Sequence, residues 1–173
     1  MAKFLLSLHV LVSVLFVGPV AVAVSMFPTR ARAALTAASG SATGGEPGRG
    51  DGGAAEAGSV RLLHRITQVY ALLGLAVPVL GIGTAQVMDV LGQSWLIVSM
   101  ALTALAALSL LLFVLPAQQA AVDALDPADP QAPEHDRALQ GLRRLPMTAG
   151  VFNLLWAVVV VLMVIRPGST TGA

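Results

Sequence analysis

Residues 94–115 read SWLIVSMALTALAALSLLLFVL, a run of 22 residues without one Lys, Arg, Asp or Glu. At about 1.5 Å per residue, a helix of that length covers a hydrocarbon layer of about 30 Å. Lipid offers no partner to backbone N–H and C=O groups, so the run must satisfy them within itself, as a helix. Three further stretches share this character: Phe4–Phe27, Ile66–Met88 and Thr148–Ile165. The expectation is an all-α fold, a four-helix transmembrane bundle, with residues 1–173 forming a single integral membrane domain.

Composition narrows the class. Hydrophobic residues make up 56% of the chain and charged residues 11%, where a soluble domain carries charge on about 25%. A net charge of +1 gives no basic stripe of the kind nucleic acid requires. The chain has no cysteine, so disulfides, thiolate metal sites and cysteine nucleophiles are excluded. Arginine outnumbers the single Lys3 and Ala, Gly and Pro are abundant, a bias that points to a GC-rich bacterial genome. The first run, with its small Ala21-Val22-Ala23 triplet, is too long for the 7–15-residue core of a secretion signal.

Basic residues are retained on the cytoplasmic side of a membrane. Arg30, Arg32, Arg49, Arg61 and Arg65 lie between the first two runs, and Arg137, Arg143 and Arg144 between the last two. Four crossings put both groups on one side, against Lys3 and Arg166 on the other. The expected location is the bacterial inner membrane, multi-pass, with both termini outside and loops 28–65 and 116–147 cytoplasmic. The connection Asp89–Gln93 is then a tight outer hairpin.

Local signals subdivide the runs. Gly18-Pro19 should kink the first span and Phe27-Pro28 should end it, leaving residues 29–38 as a short stub whose Arg30 and Arg32 snorkel to headgroups. Residues 39–59 hold eight glycines and read as a flexible Gly/Ala-rich loop. Gly74 and Gly81, seven apart with Pro78 between them, offer one face to a close neighbour. Ser94 is placed to cap the third span ahead of Trp95. Ser99, Thr103 and Ala107 form a small-residue packing stripe. Pro116 should end the third span, and residues 117–146 read as a cytoplasmic loop with short amphipathic helices. One of these, Glu134–Leu145, is expected to lie in the headgroup plane before Pro146 turns the chain into the last span.

Polar residues inside apolar runs are site candidates. His9 lies near the outer end of the first span, and Gln86 and Asp89 share that leaflet. Together they form the candidate polar site. Gln68 and Gln86 are 18 residues apart, five helical turns, so with Leu72, Leu75, Val79 and Ile82 they define a stripe expected to face the bundle. At the inner side Gln68, Tyr70 and Asn153 are candidate interhelical contacts. His64 reads as an interfacial residue among arginines, about 25–30 Å in depth from His9, so the two cannot share a metal. His135 reads as solvated, and Asp123, Asp126, Asp129, Glu134 and Asp136 as a solvated acidic loop. Arg49-Gly50-Asp51 matches an adhesion tripeptide by chance. No phosphate-binding loop, Ser–His–Asp set or HExxH motif occurs, so no catalytic residue and no metal site is assigned.

The opening Phe4-Leu5-Leu6-Ser7-Leu8-His9-Val10-Leu11-Val12 through Phe16-Val17-Gly18, the Gly-rich second span and Ser94-Trp95-Leu96 resemble the bacterial four-span proteins catalogued as domain of unknown function 2269. That resemblance implies the architecture and no activity. The Leu-x-x-Leu-His pattern is also similar to helices of CopD-like copper-resistance and HemJ-like protoporphyrinogen-oxidase membrane proteins. The HemJ-like case would make His9 a haem contact, although this chain has no second in-membrane histidine at that depth. The expected function is a non-enzymatic accessory or scaffolding subunit. The alternatives are a redox, haem- or metal-linked protein using His9, or a small transporter or channel component acting as an oligomer. Expected partners are the lipid bilayer and a homo-oligomer or larger membrane complex, with no nucleic acid.

Overall fold

The computed structural model describes residues 1–42, 50–125 and 132–168, with only the backbone for 39–42, 50–51 and 132–137. The helices are α1 (Ala2–Ala42), α2 (Gly50–Gly74), α3 (Ala76–Val87), α4 (Ser94–Ser109), α5 (Leu115–Asp123) and α6 (Ala132–Ile165), with one wide π-helical turn, Leu110–Val114, between α4 and α5. No strand occurs among the described residues. Among the described residues, four helical stretches are long and apolar enough to cross a membrane: 2–38, 52–87, 94–123 and 138–165. No more than 28% of the apolar window of any of them is buried in the bundle. Val14, Leu72, Val79, Leu112 and Leu154 all point outward. Water would penalise so much exposed apolar surface, and lipid does not.

The core runs along a seam of α1. Val17, Val20, Val24, Phe27, Ala31 and Ala34 are buried, at alternating spacings of three and four, the seam of a coiled coil. Helix α1 packs on α2 and α3, while α4 and α5 pack on α6. The 41 residues of α1 extend about 60 Å, twice the apolar layer. The seam therefore continues beyond the apolar run, where Leu35 and Val60 are buried and Gly53 lies 3.7 Å, measured from an added Cβ, from Ala37.

Several boundaries differ from the sequence reading. Helix α1 passes through both Pro19 and Pro28, so there is no separate stub. Residues 50–59 of the expected flexible loop are helical and pack on α1, because Gly and Ala allow two backbones to approach. Residues 43–49, with Arg49, lie outside the described set, as do Asp126 and Asp129 and the side chains of Glu134, His135 and Asp136. The second span breaks at Leu75, immediately after Gly74. Gly74 is four residues before Pro78, where the missing N–H and the ring clash fall. Pro116 does not end the third span. Its orphaned carbonyl, Leu112, lies inside the π turn, and the helix resumes as α5.

The cap of α4 is Gln93, without a side-chain cap bond, and Ser94 is already helical. Pro146 likewise lies inside the continuous α6, so residues 134–145 prolong the last span instead of lying flat on the membrane. Leu142 and Leu145 are buried while Leu139 is exposed. The hairpin after α3 turns at Asp89, which has φ +56°, a left-handed position that a short polar residue tolerates.

Candidate functional site

The helix N–H groups deleted by proline free carbonyl oxygens, and one of them has a partner from a distant helix. Pro146 cannot donate to the carbonyl of Leu142. The Arg32 guanidinium donates to that oxygen at 3.0 Å. Beside it, Arg30 pairs with Glu56 at 3.2 Å on the surface. Neither arginine is therefore devoted to headgroups. Both join helices at the end of the bundle that also carries Arg61, Arg65, Arg143 and Arg144, the arginine-rich end.

His64 is buried at 6% exposure and does not sit on the rim. Its Nδ1 lies 3.2 Å from Gln118 Oε1 and its Nε2 2.8 Å from Gln119 Oε1. Gln119 in turn donates to Asp123 at 2.7 Å. Gln118 is wholly buried, and its Nε2 has no partner. A doubly protonated ring donates to both amides. A neutral ring donates to Gln119 and accepts from Gln118 once that amide turns over. Adjacent residues on α5 stand about 100° apart, so the pair brackets the ring from two sides. Sequence reasoning missed this cluster. The one signal was two consecutive glutamines just beyond an apolar span.

The residues of the outer candidate site differ in exposure. His9 is buried at 6%, whereas Gln86 and Asp89 are exposed. The His9 ring lies against Gly81, where an added Cβ would stand 3.1 Å from Cε1. The main chain of Val77 is the backbone group that interacts with the ring, but Nδ1 has no hydrogen bond of ordinary geometry. The glycine is the reason: without a Cβ, it lets the imidazole press on the backbone of α3. No group of three or more His, Cys, Asp or Glu suited to a metal occurs among the described residues. The His9 ring faces the backbone of α3.

The inner candidates also part company. Gln68 is exposed along with Leu72, Leu75, Val79 and Ile82, so the Gln68–Gln86 stripe faces outward and not into the bundle. An amide near the end of a span can reach toward headgroups, which lowers the penalty that suggested an inward face. Asn153 donates to Ser25 Oγ across 3.1 Å, joining α6 to α1. Ser99 is wholly buried on α4 and, like Thr103, bonds back to its own helix.

Tyr70 stands edge-on to Phe16, with ring centres 6.4 Å apart. Both rings line a half-open cleft walled by all four spans, with a volume of about 70 Å³. Phe152 and Trp156 supply further aromatic wall, and Gly74, Pro78, Thr103 and Ala107 supply small or bent surface. A Cβ on Gly74 would meet nothing within 4 Å. Of the two glycines expected to admit a neighbouring helix, Gly81 admits His9 and Gly74 opens the cleft.

At the opposite end, the hairpin end, Ala85, Val90, Trp95 and Leu96 form a small second core. Arg166 lies over the Trp95 ring at 5.6 Å, and the Trp95 indole donates to Gln93.

No protein-family model, no curated protein and no solved structure matches this chain.

Proposed function

We propose that this chain is a non-enzymatic accessory or scaffolding subunit of a bacterial inner-membrane complex, or of its own homo-oligomer. In this reading the arginine-rich end lies in the cytoplasm and both termini lie outside, as the distribution of basic residues favours. The observation that carries it is the prolongation of α1 and α2 beyond their apolar runs as a packed hairpin, tied by Arg30–Glu56. A helix pair standing clear of the membrane presents a rigid surface to a cytoplasmic partner. The polar side chains within and beside the spans support the same reading. His64, Asn153 and Arg32 each join one helix to another, an employment that suits a scaffold.

The resemblance to the four-span family of unknown function fits this architecture and adds no activity. The test is the mass and visible spectrum of the complex extracted in a mild detergent. The scaffold reading expects a stable assembly heavier than one chain, disrupted when the α1–α2 projection is shortened, with no chromophore. A lone monomer, or substrate turnover that is lost on single substitutions, contradicts it. A Soret band lost in His9→Ala would favour the redox alternative, and flux through liposomes above background would favour the transport alternative.

A further inference from the structure

The second span turns two arginines away from the bundle. On the continuous helix α2, Val60, His64 and Thr67 are buried, while Arg61, Arg65 and Gln68 are exposed. Arg61, Arg65, Gln68 and Leu72 fall within about 60° of one another around the helix axis. Leu72, Leu75 and Val79 are each more than half exposed and carry the stripe onward. From Gln68 to Val79 is about 16 Å, half of a hydrocarbon layer of about 30 Å. The stripe is thus cationic where it leaves the apolar run and apolar over the depth of one leaflet.

Its charge is not neutralised by the protein. Glu56 is taken by Arg30, and Asp123 accepts from Gln119. The guanidinium groups of Arg61 and Arg65 have no hydrogen-bond or ion-pair partner among the described residues. Like charges four apart on a helix repel. A phosphate between them removes that repulsion and accepts hydrogen bonds from both. Arg143 and Arg144 are exposed as well, but adjacent residues stand about 100° apart, so they diverge. We infer that Arg61, Arg65 and Gln68 bind the headgroup of one anionic phospholipid, whose acyl chain lies along Leu72, Leu75 and Val79. The phosphodiester meets the two guanidinium groups, and the Gln68 amide donates to an ester carbonyl. A soluble phosphate would leave the apolar track uncovered. A zwitterionic headgroup would bring an ammonium group against two positive charges, which an anionic one avoids.

A single tryptophan on the stripe tests the site. In a full chain carrying Trp95→Phe and Trp156→Phe, the reporter is Leu72→Trp, and Leu112→Trp on the third span is the comparison. Both positions face outward and lie at similar depth, about 9–12 Å inward of the His64–Gln118 contact. Each protein is reconstituted into vesicles in which phosphatidylglycerol or phosphatidylcholine carries brominated acyl chains, diluted with unbrominated lipid. The ratio of the mole fractions giving half-maximal quenching measures the preference. The site predicts a preference for phosphatidylglycerol at position 72 and none at position 112. Arg65→Gln lowers the preference about fivefold, and Arg61→Gln with Arg65→Gln removes it. Arg143→Gln with Arg144→Gln, which deletes the same charge, leaves it in place.

Should the reporter proteins fail to fold, thermal unfolding of the chain with its native tryptophans in detergent decides. Phosphatidylglycerol should raise its midpoint more than phosphatidylcholine does, and Arg61→Gln with Arg65→Gln should cancel that difference. Equal quenching by the two lipids at position 72, or an equal preference at position 112, overturns the site. So does a preference lost equally with Arg143 and Arg144, which would mark a diffuse field in place of a site. Inorganic phosphate that abolishes the preference at constant ionic strength assigns the arginines to a soluble anion and overturns the lipid as well.

Discussion

At the arginine-rich end, Arg32 reaches the Leu142 carbonyl and His64 lies between Gln118 and Gln119. At the hairpin end, His9 lies on bare backbone at Gly81 and Trp95 lies beneath Arg166. The first end is held by hydrogen bonds between helices and the second by close approach and a short turn. The reason is geometric. Four helices leave the apolar layer at the arginine-rich end and run on, three of them through prolines, so hydrogen-bonding groups in those helices need partners. At the hairpin end a tight turn joins the second and third spans, and the chain supplies fewer polar groups to pair.

Replacing Gly81 with Leu should be the most disruptive change, because even a Cβ there would stand 3.1 Å from the buried His9 ring. Overpacking of this kind costs about 1–3 kcal/mol. Thermal unfolding in nanodiscs, followed by circular dichroism, should show that loss for Gly81→Leu and none for Gly74→Leu, whose side chain enters the cleft. Equal losses would erase the distinction drawn between the two glycines.

His64→Leu probes the other end. It leaves the buried Gln118 amide without its ring partner, at a cost of about 1–3 kcal/mol. His64→Gln, which can still bond to an amide, should recover part of the loss. A neutral His64→Leu would mean that the glutamines find other partners.

Arg32→Met should cost about 1 kcal/mol, since it keeps the apolar stem and removes one hydrogen bond. Its informative partner is Pro146→Ala, which restores an N–H to the Leu142 carbonyl. In the double variant the loss from Arg32→Met should shrink, and the interaction energy of the cycle measures the sharing of that oxygen. Strict additivity would show that the arginine does not replace the helix bond.

The smallest effect is expected at Asn153–Ser25, where Ser25→Ala should cost about 0.6 kcal/mol, the mean for interhelical polar bonds in lipid. A loss as large as that at His64 would blur the contrast between the two ends.

The apolar runs were legible because hydropathy over some twenty residues needs no knowledge of neighbours. The Asp89 turn was legible for the same local reason. The helices passing through Pro28 and Pro146 were not. Proline weakens a helix locally, and what carries α6 through Pro146 includes an arginine 114 positions earlier in the chain. His64 read as a rim residue because its partners depend on how the π turn sets the phase of α5. Gly74 and Gly81 looked equivalent by spacing, and only the position of His9 on α1 distinguishes them. The outward stripe from Gln68 to Gln86 shows the limit of periodicity in lipid, where both faces of a helix are apolar and a shared face does not reveal which way it looks.

The absence of cysteine makes single introduced thiols a direct test of the crossing pattern. Ala55→Cys, Gly92→Cys and Leu112→Cys are placed one at a time and treated with a membrane-impermeant maleimide on intact, right-side-out cells. The account predicts labelling at position 92 in intact cells, at position 55 only after lysis, and at position 112 under neither condition. Labelling at position 55 in intact cells would contradict the orientation. Labelling at position 112 without detergent would contradict the membrane bundle itself.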